Sequence, residues 1–385
     1  MKAVLRGIKN FCREADMVLL TLCLAASIFG LVLISSAAAT SAFTSRYLLV
    51  QGVGIVLGVV LFVTISLLDL DDLASFWKWI LVFNILFCIS TYFIGVERGG
   101  NKSWIEIPGI GITVQPAEIV KIPFILLMAK QMYELRDRIN HPLSVAMILG
   151  HIGLMFAIIL FAADDMGVAL IYIFIFLGMF FSCGVSLWWI LGGIVAIGAL
   201  TPFLWQHLPE YQKMRVLVVL DDSIDPLGIG YNTRRSKIAL GSGQAFGQGL
   251  YSGTQTQRGL LPSKHTDFIY SVAGEELGFI GCMAIILILA AIILRCLWVA
   301  TRAKNGMGSL VCVGVASMMI FQVFENIGMC VGIMPVVGIT LPFFSYGGSS
   351  VMATFMAMGL VSSVRRHPKP GWLKSTDRNR AEVGG

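Results

Sequence analysis

Apolar residues in this chain come in repeated runs of about 20, near 17–37, 47–68, 77–96, 116–133, 144–163, 166–184, 186–205, 268–300, 309–333 and 348–364. A helix of that length crosses a hydrocarbon layer ~30 Å thick. In lipid a segment must satisfy its own backbone N–H and C=O groups, which an open sheet cannot do, and the runs are about twice as long as a barrel strand needs. They predict an all-α polytopic membrane protein of about ten transmembrane helices, with a long extracytoplasmic loop, 206–266, between the seventh and eighth. Composition agrees, since 57% of the residues are hydrophobic and only 13% charged, against about 25% charged in a soluble domain. The chain therefore divides into an N-terminal tail, 1–16, one membrane domain, 17–364, and a polar tail, 365–385, expected to be disordered and cytoplasmic.

Four basic residues before the first apolar run, and Ala37-Ala38-Ala39 at its end, imitate a signal peptide, but the run exceeds the usual 7–15 residues. A retained first helix is expected. With the N-terminus inside, 17 basic residues fall on inner segments and 3 on short outer ones (Arg46, Arg98 and Lys102), so both termini are expected in the cytoplasm. The seven basic residues of 206–266 do not count, because long loops translocate regardless of charge. The net charge of +6 follows the spans rather than one clustered face, which argues against a nucleic-acid partner. The eight cysteines show neither a disulfide framework nor metal-ligand spacing.

Chemistry concentrates around the outer segment. Lys264-His265-Thr266-Asp267 stands at the mouth of a helix, followed by Gly274-Glu275-Glu276-Leu277-Gly278 about two turns deeper. Asp267 suits either a helix N-cap or an exposed acid. Glu275 and Glu276 are costly at membrane depth and suggest a polar cavity or pathway. Glu118 and Lys121 share a helix face at i,i+3, Asp164-Asp165 breaks the chain between two spans, and Glu325 follows Gln322. Within the loop lie Arg215, Arg234, Arg235 and Lys237, then Gly241-Ser242-Gly243 with Gly247 and Gly249. Glycine backbone and cationic side chains together suit a lipid diphosphate, although a merely flexible loop has the same composition. Pro335, Gly338, Pro342 and Gly347-Gly348 interrupt the last apolar region, as cavity-lining backbone does.

At these residues the chain resembles the SEDS family of bacterial wall-building membrane proteins (RodA, FtsW and SpoVE). The resemblance rests on Gly100-Asn101-Lys102-Ser103-Trp104-Ile105, Gln115-Pro116-Ala117-Glu118-Ile119-Val120-Lys121, Asp165-Met166-Gly167, the 225–231 run, His265-Thr266-Asp267-Phe268, Gly274-Glu275-Glu276-Leu277-Gly278, Asn326-Ile327-Gly328-Met329 and Pro342-Phe343-Phe344-Ser345-Tyr346-Gly347-Gly348. The 119–121 stretch and the 335–342 loop look more like RodA than FtsW. Departures from the family pattern stand at Asp164, Ala117, Arg235 and Ser263.

The resemblance implies a peptidoglycan glycosyltransferase. It would polymerise lipid II, the undecaprenyl-diphosphate disaccharide-pentapeptide, on the outer leaflet, beside a class B penicillin-binding transpeptidase. Inversion at the sugar calls for a base, for which Asp267 is the candidate. Lys121, Arg215, Arg234, Arg235 and Lys264, or Mg²⁺ or another divalent cation, would meet the diphosphate, with no organic cofactor. Trp104 would pack on a sugar or the prenyl chain, or merely anchor at the interface, and Glu118, Glu275 and Glu276 would complete the substrate cavity. A lipid II flippase and a non-catalytic scaffold for the transpeptidase are the competing readings.

Overall fold

The computed structural model describes residues 11–367 except 12, 99–100, 107–112, 222 and 227. The outer parts of both tails, with Gly100 and Leu227 of the motifs above, lie outside the described residues. In chain order the first elements are α1 Met17–Ala37, α2 Thr44–Leu67, α3 Leu70–Ser75, α4 Trp77–Ile94, β1 Val96–Arg98, β2 Asn101–Glu106, β3 Thr113–Val114, α5 Pro116–Glu134 and α6 Pro142–Ala163. Then come α7 Met166–Ser182, α8 Leu187–His207, α9 Glu210–Leu220, α10 Ile229–Ser242, α11 Thr254–Gln257, α12 Ile269–Arg302, α13 Gly306–Val331 and α14 Gly348–Arg366.

A helix overlies every apolar run. Among the described residues α1, α2, α4, α6, α12 and α13 are long and apolar enough to cross a membrane, and α7 and much of α8 are apolar but shorter. The bundle is held mainly by α14 against α2 and by α13 against α7 and α12. All seven described cysteines are free thiols.

Three features depart from the expected layout. First, β1, β2 and β3 form a small antiparallel sheet in the order β1-β2-β3, with Trp104 opposite Val96 and Ile105 opposite Val114. It lies outside the apolar runs, where edge groups are not stranded in hydrocarbon. Second, 206–266 contains three helices. One side of α10, at Thr233, Ser236 and Ala239, is buried, and the Ser236 hydroxyl donates to the Cys330 carbonyl at 2.6 Å. Third, residues 14–16 and 365–366 belong to the bundle. Asp16, fully buried, caps α1 by accepting from the Leu19 N–H at 3.1 Å. It also pairs with Arg295 at 2.9 Å and Arg365 at 3.0 Å, while Arg366 reaches Glu14 at 3.1 Å.

The long helix α12 is broken at Gly278, whose φ of 68° and ψ of −163° are closed to side chains with a Cβ. A broken helix strands backbone groups, and here the 244–249 segment takes them up. Gln248 and Gly249 donate N–H groups to the carbonyls of Glu275 and Glu276 at 2.9 and 3.0 Å. In return Phe279 and Ile280 donate to the carbonyls of Gln244 and Ala245 at 2.8 and 3.2 Å. A Cβ on Gly278 would also stand 2.3 Å from the Gly247 nitrogen. The Gly-Glu-Glu-Leu-Gly motif is thus the place where a loop is bonded into a helix.

Candidate functional site

At the end of the bundle that carries α9 and α10, a cavity of about 680 Å³ opens between α2, β2, α5, α7, α9 and the 336–340 segment. Polar side chains from four of these regions, Trp104, Glu118, Asp165 and Arg215, meet Asp267, which stands ahead of α12. The sequence reading assembled four of them as candidates and left Asp165 undecided between an idle solvated acid and a cavity acid. Asp165 caps α7, accepting the Val168 N–H at 3.0 Å, and receives the Gln115 amide at 2.7 Å. Its neighbour Asp164 makes the chain reversal, in the left-handed conformation at φ 49°.

Asp267 is not a helix cap. The cap position of α12 belongs to Phe268 and has no side-chain hydrogen bond. The Asp267 carbonyl is held by the Asn326 amide at 2.8 Å and the Cys330 thiol at 3.7 Å, which fixes the backbone and leaves the carboxyl to the cavity. Burial raises that carboxyl to about 6, helped by the charge of Asp165 and opposed by a Thr266 hydrogen bond and Arg215. Across from it, Gly338 has φ 77°, and a Cβ there would lie 3.8 Å from the Asp267 Oδ2. The glycine keeps the space over the carboxyl open.

Beside Arg46, which also lines the cavity, Arg215 supplies a cation. Its guanidinium lies 4.3 Å over the Tyr211 ring and bonds the Tyr211 hydroxyl. Burial lowers it from its ordinary value, and Asp165, Asp267 and Glu325 pull it back up. Glu325, 2% exposed, has neither carboxylate oxygen hydrogen-bonded, and both polar atoms of Gln322 one turn earlier are likewise without a partner. Below the cavity floor, Lys121 is fully buried and its Nζ donates to Glu118 at 2.7 Å. Lys121 therefore faces the cavity only through Glu118. The Tyr172 hydroxyl fixes that turn by donating to the Ala117 carbonyl at 2.7 Å.

The remaining candidates lie elsewhere. Glu275 accepts from the Gln255 and Thr256 N–H groups at 2.6 and 2.9 Å and from the Thr256 hydroxyl at 2.7 Å. Glu276 accepts from Ser36 and from the Gln257 amide. Both are fully buried, and the expectation that they line a polar cavity or pathway is corrected: they pin the 244–257 segment. Lys264 donates to the Thr256 carbonyl at 2.6 Å and to Thr40 at 3.1 Å. Arg235 donates to Gln255 at 3.2 Å, and Arg234 lies on the exposed side of α10. None of the three lines the cavity. Nor is the glycine-rich segment an anion cradle, because the amides of Gly247, Gln248 and Gly249 are bonded to carbonyls. Among the described residues no group of three His, Cys, Asp or Glu side chains is placed to hold a metal ion.

Sequence reasoning missed Tyr47, Tyr346 and His265 as cavity wall. The two tyrosines stand at the ends of apolar runs, where core packing is the ordinary explanation for a ring.

The family described as cell cycle protein (FtsW/RodA/SpoVE) matches residues 16–370. Among curated relatives, the peptidoglycan glycosyltransferase MrdB of Escherichia coli is 34% identical over 317 residues, covering 82% of this chain and 84% of the relative. A probable peptidoglycan glycosyltransferase FtsW from a Geobacter species is 32% identical over 369 residues, covering 91% and 96%. Among solved structures, a chain from a peptidoglycan synthase complex that coordinates polymerization and crosslinking superimposes with a TM-score of 0.80 at 30% identity, covering 92% of this chain and 98% of that one.

Proposed function

The chain belongs to the FtsW/RodA/SpoVE family of cell cycle proteins, and from that premise we propose that this peptidoglycan glycosyltransferase polymerises lipid II at the cavity around Asp267. The carrying observation is a carboxyl that is not a helix cap, is raised to about 6, and faces open space in a cavity that Arg215 also lines. A base poised near neutral pH suits proton removal from a sugar hydroxyl. The acceptor hydroxyl loses its proton to Asp267, its oxygen bonds to the donor anomeric carbon from the face opposite the leaving group, and the C–O bond to the diphosphate breaks with its electrons. Inversion follows from that geometry. Arg215 stabilises charge developing on the diphosphate. Glu118, held by Lys121, closes the floor, and Trp104 flanks the entrance for a sugar or the prenyl chain. No step is assigned to a metal ion.

The basic-residue count supports cytoplasmic termini and, with them, a position at the outer leaflet for this cavity, which is on the side of 206–266. A class B penicillin-binding transpeptidase is the partner this reading implies. The flippase alternative drew on buried acids as a pathway, and Glu275 and Glu276 are engaged in anchoring a loop instead.

The test is polymerisation in proteoliposomes containing lipid II, divalent cation and the transpeptidase with its crosslinking inhibited. Asp267→Asn keeps size and fold and removes the proton acceptor, so glycan synthesis should fall by about 10²–10⁴. Polymerisation within a few-fold of wild type removes Asp267 from the mechanism. Transbilayer movement of lipid II by wild type with no polymer hands the reading to the flippase.

A further inference from the structure

Tyr47 from α2, His265 ahead of α12 and Tyr346 ahead of α14 meet on one wall of the cavity. The Tyr47 and His265 rings stack with centroids 4.7 Å apart at 24°, and Tyr346 meets Tyr47 edge-on at 4.9 Å and 65°. Hydrogen bonds lock this wall. The Tyr346 N–H donates to the His265 carbonyl at 2.8 Å. Gln51, fully buried one turn along α2 from Tyr47, accepts the Gly347 N–H at 3.0 Å and donates to the Ser345 carbonyl at 3.2 Å. The Ser345 hydroxyl donates to the Thr266 carbonyl at 2.6 Å. Three rings and the backbone of Asp267 therefore share one frame.

These rings differ from those of the core. Phe124, Phe344 and Phe355 are fully buried, whereas the trio is half-buried and borders open space. The π faces suit the C–H face of a pyranose, because their negative quadrupole attracts the weakly positive hydrogens. Burial, with Lys264 beside it, lowers His265 below its ordinary value, so the wall adds no charge near neutral pH.

We propose that Tyr47, His265 and Tyr346 form the platform on which a pyranose ring of the substrate is seated beside Asp267. The proposal rests on the glycolipid reading above and adds to it the surface that recognises the sugar. Full-length protein in nanodiscs is titrated with two probes, lipid II and undecaprenyl diphosphate without sugar. Wild type should favour lipid II. Tyr47→Leu and Tyr346→Leu should each weaken lipid II binding by about 2- to 12-fold, the range of one aromatic contact, and leave the sugar-free lipid unchanged. Tyr47→Phe and Tyr346→Phe, which keep the rings, should bind lipid II nearly as wild type does, and they control for folding. Equal losses for both lipids in the leucine variants overturn the platform, as does a phenylalanine variant as weak as its leucine counterpart. If wild type itself binds the two lipids alike, the glycolipid reading falls and takes the platform with it.

Discussion

Asp16 and Asp267 stand just ahead of helices at opposite ends of the bundle, and their surroundings are opposites too. Asp16 is fully buried, caps α1 and is gripped by Arg295 and Arg365. Asp267 caps nothing, is partly open to a cavity and shares it with Arg215, which is stacked on a tyrosine. A buried carboxylate with every oxygen engaged fixes geometry and has no capacity left for a substrate. One that is dehydrated and underpaired holds a proton more tightly and is available to exchange it. Residue type and position relative to the helix are nearly the same, so the partners decide the role.

The sharpest break of that contrast is Asp16→Asn. Removing one partner from a buried ion cluster costs about 3–5 kcal/mol, so thermal unfolding in detergent should show a large loss, with polymerisation per folded molecule retained. A loss of activity at unchanged stability would erase the distinction between the two ends.

A smaller effect comes from pH. Burial raises folded Asp267 to about 6, against ~3.9 for the unfolded side chain, so the folded state is favoured by protonation. That contribution is complete below about 4 and lost as pH rises through about 6. Asp267→Asn should therefore be more heat-stable than wild type at pH 8 by at most about 3 kcal/mol, less whatever cavity water screens. The gain should vanish near pH 4, and a constant difference across that range would mean the carboxyl is not perturbed. Wild-type kcat/KM should fall about tenfold per unit below pH 6.

The smallest effect belongs to Glu276→Gln. The amide keeps the shape and one acceptor of the anchor to Ser36 and Gln257, so a loss of about 1 kcal/mol is expected. Limited proteolysis within 244–257 should rise while lipid II binding stays constant. Weakened binding would return Glu276 to the substrate site.

Lipid made the helices legible, because a segment that must satisfy its own backbone shows in any run long enough to span. Asp267, Glu118 and Arg215, which the sequence singled out, line the cavity, although a cap for Asp267 and a pair with Lys121 for Glu118 were also open from the residues alone. The site was misread where the explanation lay far along the chain. Glu275 and Glu276 look like intramembrane acids until Gln255, Thr256, Gln257 and Ser36 are folded onto them. The break at Gly278 was hidden because apolar residues on both sides read as one span, and Tyr47 and Tyr346 were hidden because a ring near lipid needs no ligand to explain it.

The join at Gly278 also governs how segments can be exchanged between relatives. The first half of α12 carries Asp267 at its head and is bonded through Glu275 and Glu276 to a stretch that lies before it in sequence, while the second half is a plain membrane span. A crossover placed after Ile280 transplants loop, anchors and acid together as one heritable cassette. A crossover between 258 and 274 separates Thr256 and Gln257 from the Glu275 and Glu276 side chains they were matched to. Chimeras of such chains should therefore have a permitted seam just past Ile280 and a forbidden interval before Glu275.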